Sequence, residues 1–203
     1  MSSIISIKKA IAISFFLLRL CSVNSQEASN HIKLVLGGGY GHYINSLTNV
    51  SNNDINPNQP VFAAKILWQA EHRLRVGIES GYYGIYSTSR IQTDDKNIRL
   101  TTHFDVIPIF INISMVLHKN IEVSFSTGYA YMMYSISSKS KKRGPLTGST
   151  MSRYNTVLGL QYNLPIGKRL EVGAEIKYFY LGKTFDTQMQ ATLNLSYKII
   201  SWR

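Results

Sequence analysis

A two-residue alternation of apolar and polar side chains constrains the fold of this chain more than any other feature. It is clearest in residues 169–183, RLEVGAEIKYFYLGK. One phase of the repeat there is apolar: Leu170, Val172, Ala174, Ile176, Tyr178 and Tyr180. The other phase is mostly charged or small: Glu171, Gly173, Glu175 and Lys177. Because successive side chains of a β-strand point to opposite faces, this segment predicts a strand with one apolar and one polar face.

Similar segments recur along the chain, and no helical repeat competes with them, so the sequence predicts an all-β fold. The predicted strands are residues 31–44, 61–70, 74–86, 100–117, 121–135, 154–164, 170–181 and 188–202. Long polar connections alternate with tight turns, which would collect the loops at one rim and the turns at the other. This asymmetry is typical of bacterial transmembrane barrels. We therefore predict an eight-stranded antiparallel up-and-down transmembrane β-barrel.

The composition of the polar phase indicates which face contacts lipid. Alternation alone does not separate a membrane barrel from a soluble sandwich, or from a soluble barrel with its apolar face inside. A face in water would be rich in Lys and Glu, but this phase is rich in small residues such as Gly77, Gly81, Ser124 and Ser126. Small residues suit the narrow interior of an eight-stranded barrel. We expect the apolar phase, with tyrosines towards the strand ends, to face lipid.

Charged residues in the polar phase would point into the barrel interior: Lys65, Arg75, Glu79, Glu122, Glu171, Glu175, Lys177 and Lys198. Four are basic and four are acidic, so we expect them to pair. If the turn after the second predicted strand centres on His72, Lys65 lies across from Glu79. A filled interior with balanced charge indicates a structural plug and argues against a wide pore.

Two places depart from simple alternation. In the fourth predicted strand, Phe104 and Val106 occupy one phase, whereas the apolar residues from Ile109 onward occupy the other. If all of them face lipid, a β-bulge near Pro108 must absorb the shift and the hydrogen bond that proline cannot donate. In the last strand, Trp202 falls in the interior phase.

The N-terminus is typical of a secretory signal. Lys8 and Lys9 precede the apolar run AIAISFFLL, and small residues follow up to Ser25. We predict a cleaved signal at residues 1–25 and a barrel at residues 26–203. Because Cys21 is the only cysteine, disulfides are not expected in the mature chain. The formal charge of +11 includes three signal cations and no signal acid, which leaves +8 on the mature chain and favours an anionic surface as partner.

Two segments, FDVIPIFINISMVLHKNIEVSFSTGYAYMMY and LGLQYNLPIGKRLEVGAEIKYFYLGK, resemble the small outer-membrane β-barrel domain family, often described as porin-family proteins. The resemblance rests on Ile107-Pro108, Gly128-Tyr129, the turn and strand PIGKRLEVG, and the final strand LNLSYKI. It spans the mature chain and implies a barrel in the bacterial outer membrane. Chains of this family usually end on an aromatic residue, whereas here Arg203 follows the tryptophan.

Some membrane barrels are lipid enzymes that use Ser, His and an acid near the outer rim. The candidates here are His42, Ser87, His103 and Asp105. No local motif links them, and triads are recognised by geometry, so we favour a structural interpretation in which an interior histidine bonds an interior carboxylate. The five scattered histidines show no metal-ligand spacing, and no metal or cofactor is expected.

A basic cluster in the longest predicted loop is the best candidate for binding: Lys139, Lys141, Lys142 and Arg143. Facing outward, it would meet lipopolysaccharide or another anionic surface polymer, although a purely solvated loop explains it as well. We therefore predict a non-enzymatic outer-membrane barrel with a structural or adhesin-like role, in contact with membrane lipid and not with nucleic acid. A rim-active lipid-modifying enzyme and a narrow-pore channel are the alternatives.

Overall fold

The computed structural model describes residues 30–44, 55–69, 71, 73–92, 98–138 and 146–202. Within them the elements are β1 (Asn30–Ile44), β2 (Ile55–Asn56), β3 (Asn58–Gln69), β4 (Leu74–Gln92), β5 (Ile98–His118), β6 (Ile121–Ser138), β7 (Leu146–Pro165), β8 (Leu170–Leu181) and β9 (Asp186–Trp202). No helix in the described part of the chain is long and apolar enough to cross a membrane. The predicted signal at residues 1–25 lies outside the described residues and stays a prediction.

The strands form one closed antiparallel sheet. Its order is β2-β4-β3-β1-β9-β8-β7-β6-β5, and a further pairing of β4 with β5 closes it. The two-residue strand β2 pairs only with β4, at Ile55↔Thr88 and Asn56↔Ser87, so the wall of the barrel consists of the eight long strands of the described chain. The predicted eight-stranded up-and-down barrel is confirmed.

The outward phase of the strands is apolar and exposed. Ile66, Ile78, Ile111, Leu160 and Leu193 are each between 52% and 72% exposed. In water, a continuous apolar belt around the molecule would be an aggregation surface, whereas in a bilayer it is the surface that contacts lipid. The predicted assignment of the two faces is therefore confirmed.

The barrel interior has two layers. Near the turn rim it is polar and charged. Near the loop rim an apolar cluster fills it, made of Tyr43, Val61, Ala63, Tyr83, Ile85, Phe104, Val106, Phe110, Ala130, Met132, Val157, Phe179 and Leu181. The rings of Tyr83 and Phe179 meet edge to face with centroids 5.6 Å apart, a favourable arrangement for aromatic pairs.

The bulge predicted near Pro108 is wrong. Phe104 and Val106 are only 1% and 0% exposed and belong to the apolar cluster inside the barrel. The β4–β5 register is the same on both sides of the proline, at Ser80↔Ile109 and Tyr83↔Val106. The interior is itself apolar at this height, so an apolar side chain there does not mark the lipid face.

The interior placement predicted for Trp202 is also wrong. The pairing of β1 with β9 shifts from Lys33↔Lys198 to Ile32↔Ile200, which leaves one extra residue in β9. Because a one-residue insertion reverses the phase of a strand, Trp202 points outward and is 40% exposed.

Four neighbouring strands continue past the barrel rim on the loop side. Strands β4, β5, β6 and β7 have 19, 21, 18 and 20 residues, whereas β3 and β8 have 12 each. Since about 9–11 tilted residues cross a bilayer, the extra lengths form a raised sheet of residues 84–92, 98–105, 132–138 and 146–153. Most of these residues were predicted as loop, which the structure corrects.

The lipid face can be tested within a single strand. Leu160 lies in the membrane belt of β7, whereas Leu146 lies in the raised sheet and is 69% exposed. We expect Leu160→Arg to lower the unfolding free energy by about 2–4 kcal/mol, because the charge must enter hydrocarbon. Leu146→Arg, the matched control, should change it little. Urea unfolding in lipid vesicles measures both, and equal costs would contradict the assignment of the belt.

Candidate functional site

The charged interior is the most highly organised group of polar side chains in the described structure. All eight charged residues predicted to face inward do so, each placed by the interior phase of its strand. Lys198 is the most exposed of them, with 29% of its side chain accessible. Each takes part in an ion pair, so the buried charges have the partners that burial requires.

Glu79 on β4 is the hub of this interior network. Its carboxylate accepts hydrogen bonds from Lys177 Nζ at 2.5 Å, Ser126 Oγ at 2.7 Å and Tyr83 Oη at 2.8 Å. Asn112 Nδ2 donates a further bond at 3.2 Å. Glu79 itself is 0% exposed. These donors come from β4, β5, β6 and β8, so one carboxylate ties opposite walls of the barrel together.

The partner of Lys65 differs from the one expected. Lys65 lies across from Glu79 in the β3–β4 register, as predicted from the turn. Its Nζ nevertheless donates to Glu175 Oε1 on β8 at 2.5 Å. Glu175 also accepts a bond from Asn194 Nδ2 at 3.0 Å. In a narrow barrel a long side chain reaches the opposite wall as easily as the neighbouring strand, so cross-strand register does not determine the ion pair.

Two further carboxylates organise the turn rim. Glu171 contacts Lys33 Nζ at 2.7 Å and Lys198 Nζ at 3.2 Å. Glu122 pairs with Arg75, whose Nε also donates to Gln69 Oε1 at 3.2 Å. These contacts close the interior at the end opposite the loops.

Lys33 is the member of the interior network that the sequence analysis missed. It is 1% exposed and lies in the same phase of β1 as Val35. The signal was present in HIKLVL, where Lys33 alternates with Ile32 and Leu34. With Lys33 included, these ion pairs contain five basic and four acidic residues of the described chain.

The candidate catalytic residues do not form a triad in the structure. His42 Nδ1 contacts Asn58 Oδ1 at 2.8 Å, and Ser87 Oγ accepts a bond from Gln59 Nε2 at 2.9 Å. His103 lies across from Ser87 in the β4–β5 register.

The interior placement assumed for His103 and Asp105 is wrong. Both alternate with the buried Phe104 and Val106, so they occupy the outward phase of β5. The Asp105 carboxylate lies close enough to Tyr82, on the same outward face, to interact with its hydroxyl group.

Neither a metal centre nor the basic cluster can be described from the structure. Among the described residues, no group of three or more His, Cys, Asp or Glu is arranged to hold a metal ion. The basic cluster, Lys139 to Arg143, lies outside the described residues, between the end of β6 and the start of β7.

Comparison with known proteins identifies the fold. No protein-family model and no curated protein matches the chain. Among solved structures it is similar to Ail, the attachment invasion locus protein of Yersinia pestis, in complex with the heparin analogue sucrose octasulfate. That match has 11% identity and a TM-score of 0.50, and it covers 86% of this chain and 100% of that one.

Two further matches are weaker. The outer membrane protein OprG from Pseudomonas aeruginosa has 8% identity and a TM-score of 0.48, with 84% of this chain and 97% of that one covered. The outer membrane protease OmpT from Escherichia coli has 11% identity and a TM-score of 0.37, with 88% and 99% covered. At 8–11% sequence identity, structural similarity establishes only a shared fold. The fold, with its apolar belt, is that of an integral bacterial outer-membrane barrel.

The reassigned ion pair predicts a measurable coupling. Glu175→Gln alone should cost about 3–5 kcal/mol, because it leaves the buried Lys65 without its ion-pair partner. Lys65→Met should cost less, because Glu175 keeps a second ion pair with Lys177 Nζ at 3.5 Å. The double variant should cost less than the sum, with a coupling free energy of about 0.5–3 kcal/mol. The free energy of unfolding, measured by urea titration in lipid vesicles, gives the cycle. Lys65→Met combined with Glu171→Gln is the control, since Glu171 pairs with Lys33 and Lys198. A larger coupling in the control would contradict the assigned pairs.

Proposed function

We propose that the protein is a non-enzymatic, integral outer-membrane barrel that presents a binding surface to the cell exterior. The observation that carries this proposal is the raised sheet, which continues four strands beyond the membrane above an interior filled with side chains. A barrel can cross the bilayer without paired strands that extend beyond it. A long rigid sheet there is better explained by the display of a surface.

The filled interior supports a plug over a conducting channel. On the turn side, the ion pairs of Glu79 and Glu175 cross the interior, and those of Glu171 and Glu122 join strands that are two apart in the sheet. On the loop side, the apolar cluster offers few polar groups that could hydrate an ion. Conduction would require both layers to rearrange at once.

The geometry at the loop rim supports binding over catalysis. His42 and Ser87 have hydrogen-bond partners outside the candidate set, Asn58 and Gln59. One observation favours the enzyme alternative, namely that Ser87 and His103 lie directly across from one another on the raised sheet. A nucleophile and its base must meet within hydrogen-bond distance, so this pair is the one to test.

The basic cluster is the proposed binding element. It lies in the sequence between β6 and β7, two strands of the raised sheet. Four cations within five positions would attract a dense polyanion, such as the core of lipopolysaccharide or a sulfated or acidic surface polymer. Ail, which shares the fold, has been solved with a heparin analogue, and this suggests a sulfated sugar as a first probe.

Replacing Lys139, Lys141, Lys142 and Arg143 with Ser should abolish binding of a sulfated or phosphorylated polysaccharide and leave the barrel folded. Wild-type affinity should fall steeply with added salt, because exposed charges are screened over about 8 Å at physiological ionic strength. Titration calorimetry with purified protein and heparin at increasing salt measures both effects.

The control variant replaces three exposed cations of the turn rim with Ser: Lys119, Lys168 and Arg169. That variant should keep the wild-type affinity. If the loop variant also binds like the wild type, the basic cluster is only a solvated connection and the binding proposal is wrong.

The enzyme alternative has a separate test. Lipid A from cells that express the wild type, the Ser87→Ala variant or no protein should give the same mass spectrum, since the proposed barrel has no catalytic role. A change in acylation or phosphate content that disappears in Ser87→Ala would contradict the proposal and identify an enzyme.

A further inference from the structure

Two aromatic residues at the loop rim have an unusual backbone conformation. Among the described residues, Tyr154 and Phe185 are the non-glycine residues with positive φ, at 60° and 59°. Bulky side chains rarely occupy the left-handed region, and doing so is unfavourable. Both rings are exposed, Tyr154 by 84% and Phe185 by 55%, so burial of the ring does not offset the strain.

A β-bulge produces the conformation of Tyr154. The β6–β7 pairing shifts from Gly128↔Asn155 to Ala130↔Ser152, so two residues of β7 oppose one residue of β6. The two residues in the bulge are Arg153 and Tyr154, and both are exposed. A bulge redirects side chains, and this one turns a cation and an aromatic ring outward at the same point.

Two buried polar residues, Ser152 and Asn155, hold the bulge in place, and both are 0% exposed. Asn155 Nδ2 donates to the carbonyl oxygens of Gly128 at 3.0 Å and Ser152 at 3.1 Å. Asn155 Oδ1 accepts bonds from Ser152 Oγ at 2.7 Å and from Gly182 N at 3.2 Å. We call this pair the rim clasp. It joins the bulge to the turn between β8 and β9.

The turn that the rim clasp holds carries a second cation and the second strained ring. Lys183 N donates to Ser152 Oγ at 3.2 Å, and Lys183 Nζ donates to Thr150 Oγ1 at 2.5 Å. Gly182 permits this approach, because a Cβ there would lie 2.6 Å from the carbonyl oxygen of Tyr154. Phe185 follows in the same turn, and its ring lies 6.5 Å from that of Tyr180.

The resulting patch lies at the level of the outer membrane–water interface. Tyr154 is roughly ten residues along β7 from the turn-side end at Pro165, the length of tilted strand that crosses a bilayer. The exposed cations of this patch are Arg153 and Lys183. Asp186, the first residue of β9 after this turn, accepts a bond from Tyr43 Oη at 2.5 Å. The patch is therefore cationic and aromatic, and it lies beside the headgroups of the outer leaflet.

We propose that Arg153, Tyr154, Lys183 and Phe185 bind a phosphorylated glycolipid of the outer leaflet. Arg153 and Lys183 donate hydrogen bonds to its phosphate oxygens. Such bonds from guanidinium and ammonium groups to phosphate are charge-assisted and strong. Tyr154 and Phe185 pack against the sugar and the upper acyl chains, as aromatic rings do at headgroup depth. The strain at both rings is retained because it directs them at the lipid. This site is separate from the basic cluster and does not rest on the function proposed above.

The test compares binding of bisphosphorylated lipid A to the purified barrel in nanodiscs, with dephosphorylated lipid A and phosphatidylglycerol as further probes. We expect R153Q/K183Q to weaken binding of lipid A roughly tenfold or more through the lost charge-assisted bonds. The matched control K168Q/R169Q removes the same charge from the opposite rim and should bind like the wild type. Wild-type binding should also fall when the phosphates are removed.

A second variant separates binding from folding. Glycine accepts positive φ without strain, so Y154G/F185G should unfold at the same urea concentration as the wild type or a higher one. Its affinity for lipid A should nevertheless fall, because both rings are lost. The proposal is wrong if R153Q/K183Q binds lipid A with wild-type affinity, or if K168Q/R169Q loses as much affinity as R153Q/K183Q. It is also wrong if the wild type binds phosphatidylglycerol as tightly as lipid A. None of these variants touches the basic cluster, so the two proposals fail independently.

Discussion

The fold depends on the burial of Glu79 with its full set of donors. Moving a carboxylate out of water raises the free energy of the folded state by several kcal/mol, unless the carboxylate is both ion-paired and hydrogen-bonded. Lys177, Ser126, Tyr83 and Asn112 meet this requirement from four strands. They reach it together only when those strands have the observed register, and a one-residue slip in any of them would turn its donor outward into lipid. The hub therefore selects one closed barrel from the many registers that an alternating sequence allows.

The rest of the interior follows from the same requirement. Around the hub, Glu175 pairs with Lys65 across the interior and Glu171 pairs with Lys33 two strands away, and these contacts make the polar layer continuous. Above it, rings such as Phe104 and Phe179 occupy the space that charges could not fill without further partners. An interior filled in this way leaves the outside of the molecule for contacts with other molecules.

In the described strands, backbone irregularities lie near the turn-side strand ends or close to the level at which the raised sheet begins. Register shifts occur between Ile32 and Lys33 and between Val116 and His118 on the turn side. On the loop side they lie at Gly84/Tyr86 and Gly128/Ala130. In the hydrocarbon region an unpaired backbone group has no water to bond, so the ladder stays regular there. At the rim, water and buried side chains such as Asn155 can satisfy the freed groups, and the chain can form the bulge that displays Arg153 and Tyr154.

Features that depend on the two-residue period could be predicted from the sequence alone: the eight strands of the wall and the face that contacts lipid. The same period predicted seven of the eight inward charges that are nearly or fully buried, and Lys33, the eighth, has the phase that would have placed it there. Four features required the tertiary structure. Phe104 lies inside because one interior layer is apolar, and alternation cannot distinguish that layer from lipid. Much of the raised sheet was hidden because its outer segments, such as residues 87–92 and 135–138, carry no regular apolar phase that would reveal a strand. The partner of Lys65 and the rim clasp join residues far apart in the chain, and their contacts depend on how the closed barrel brings opposite walls and neighbouring turns together.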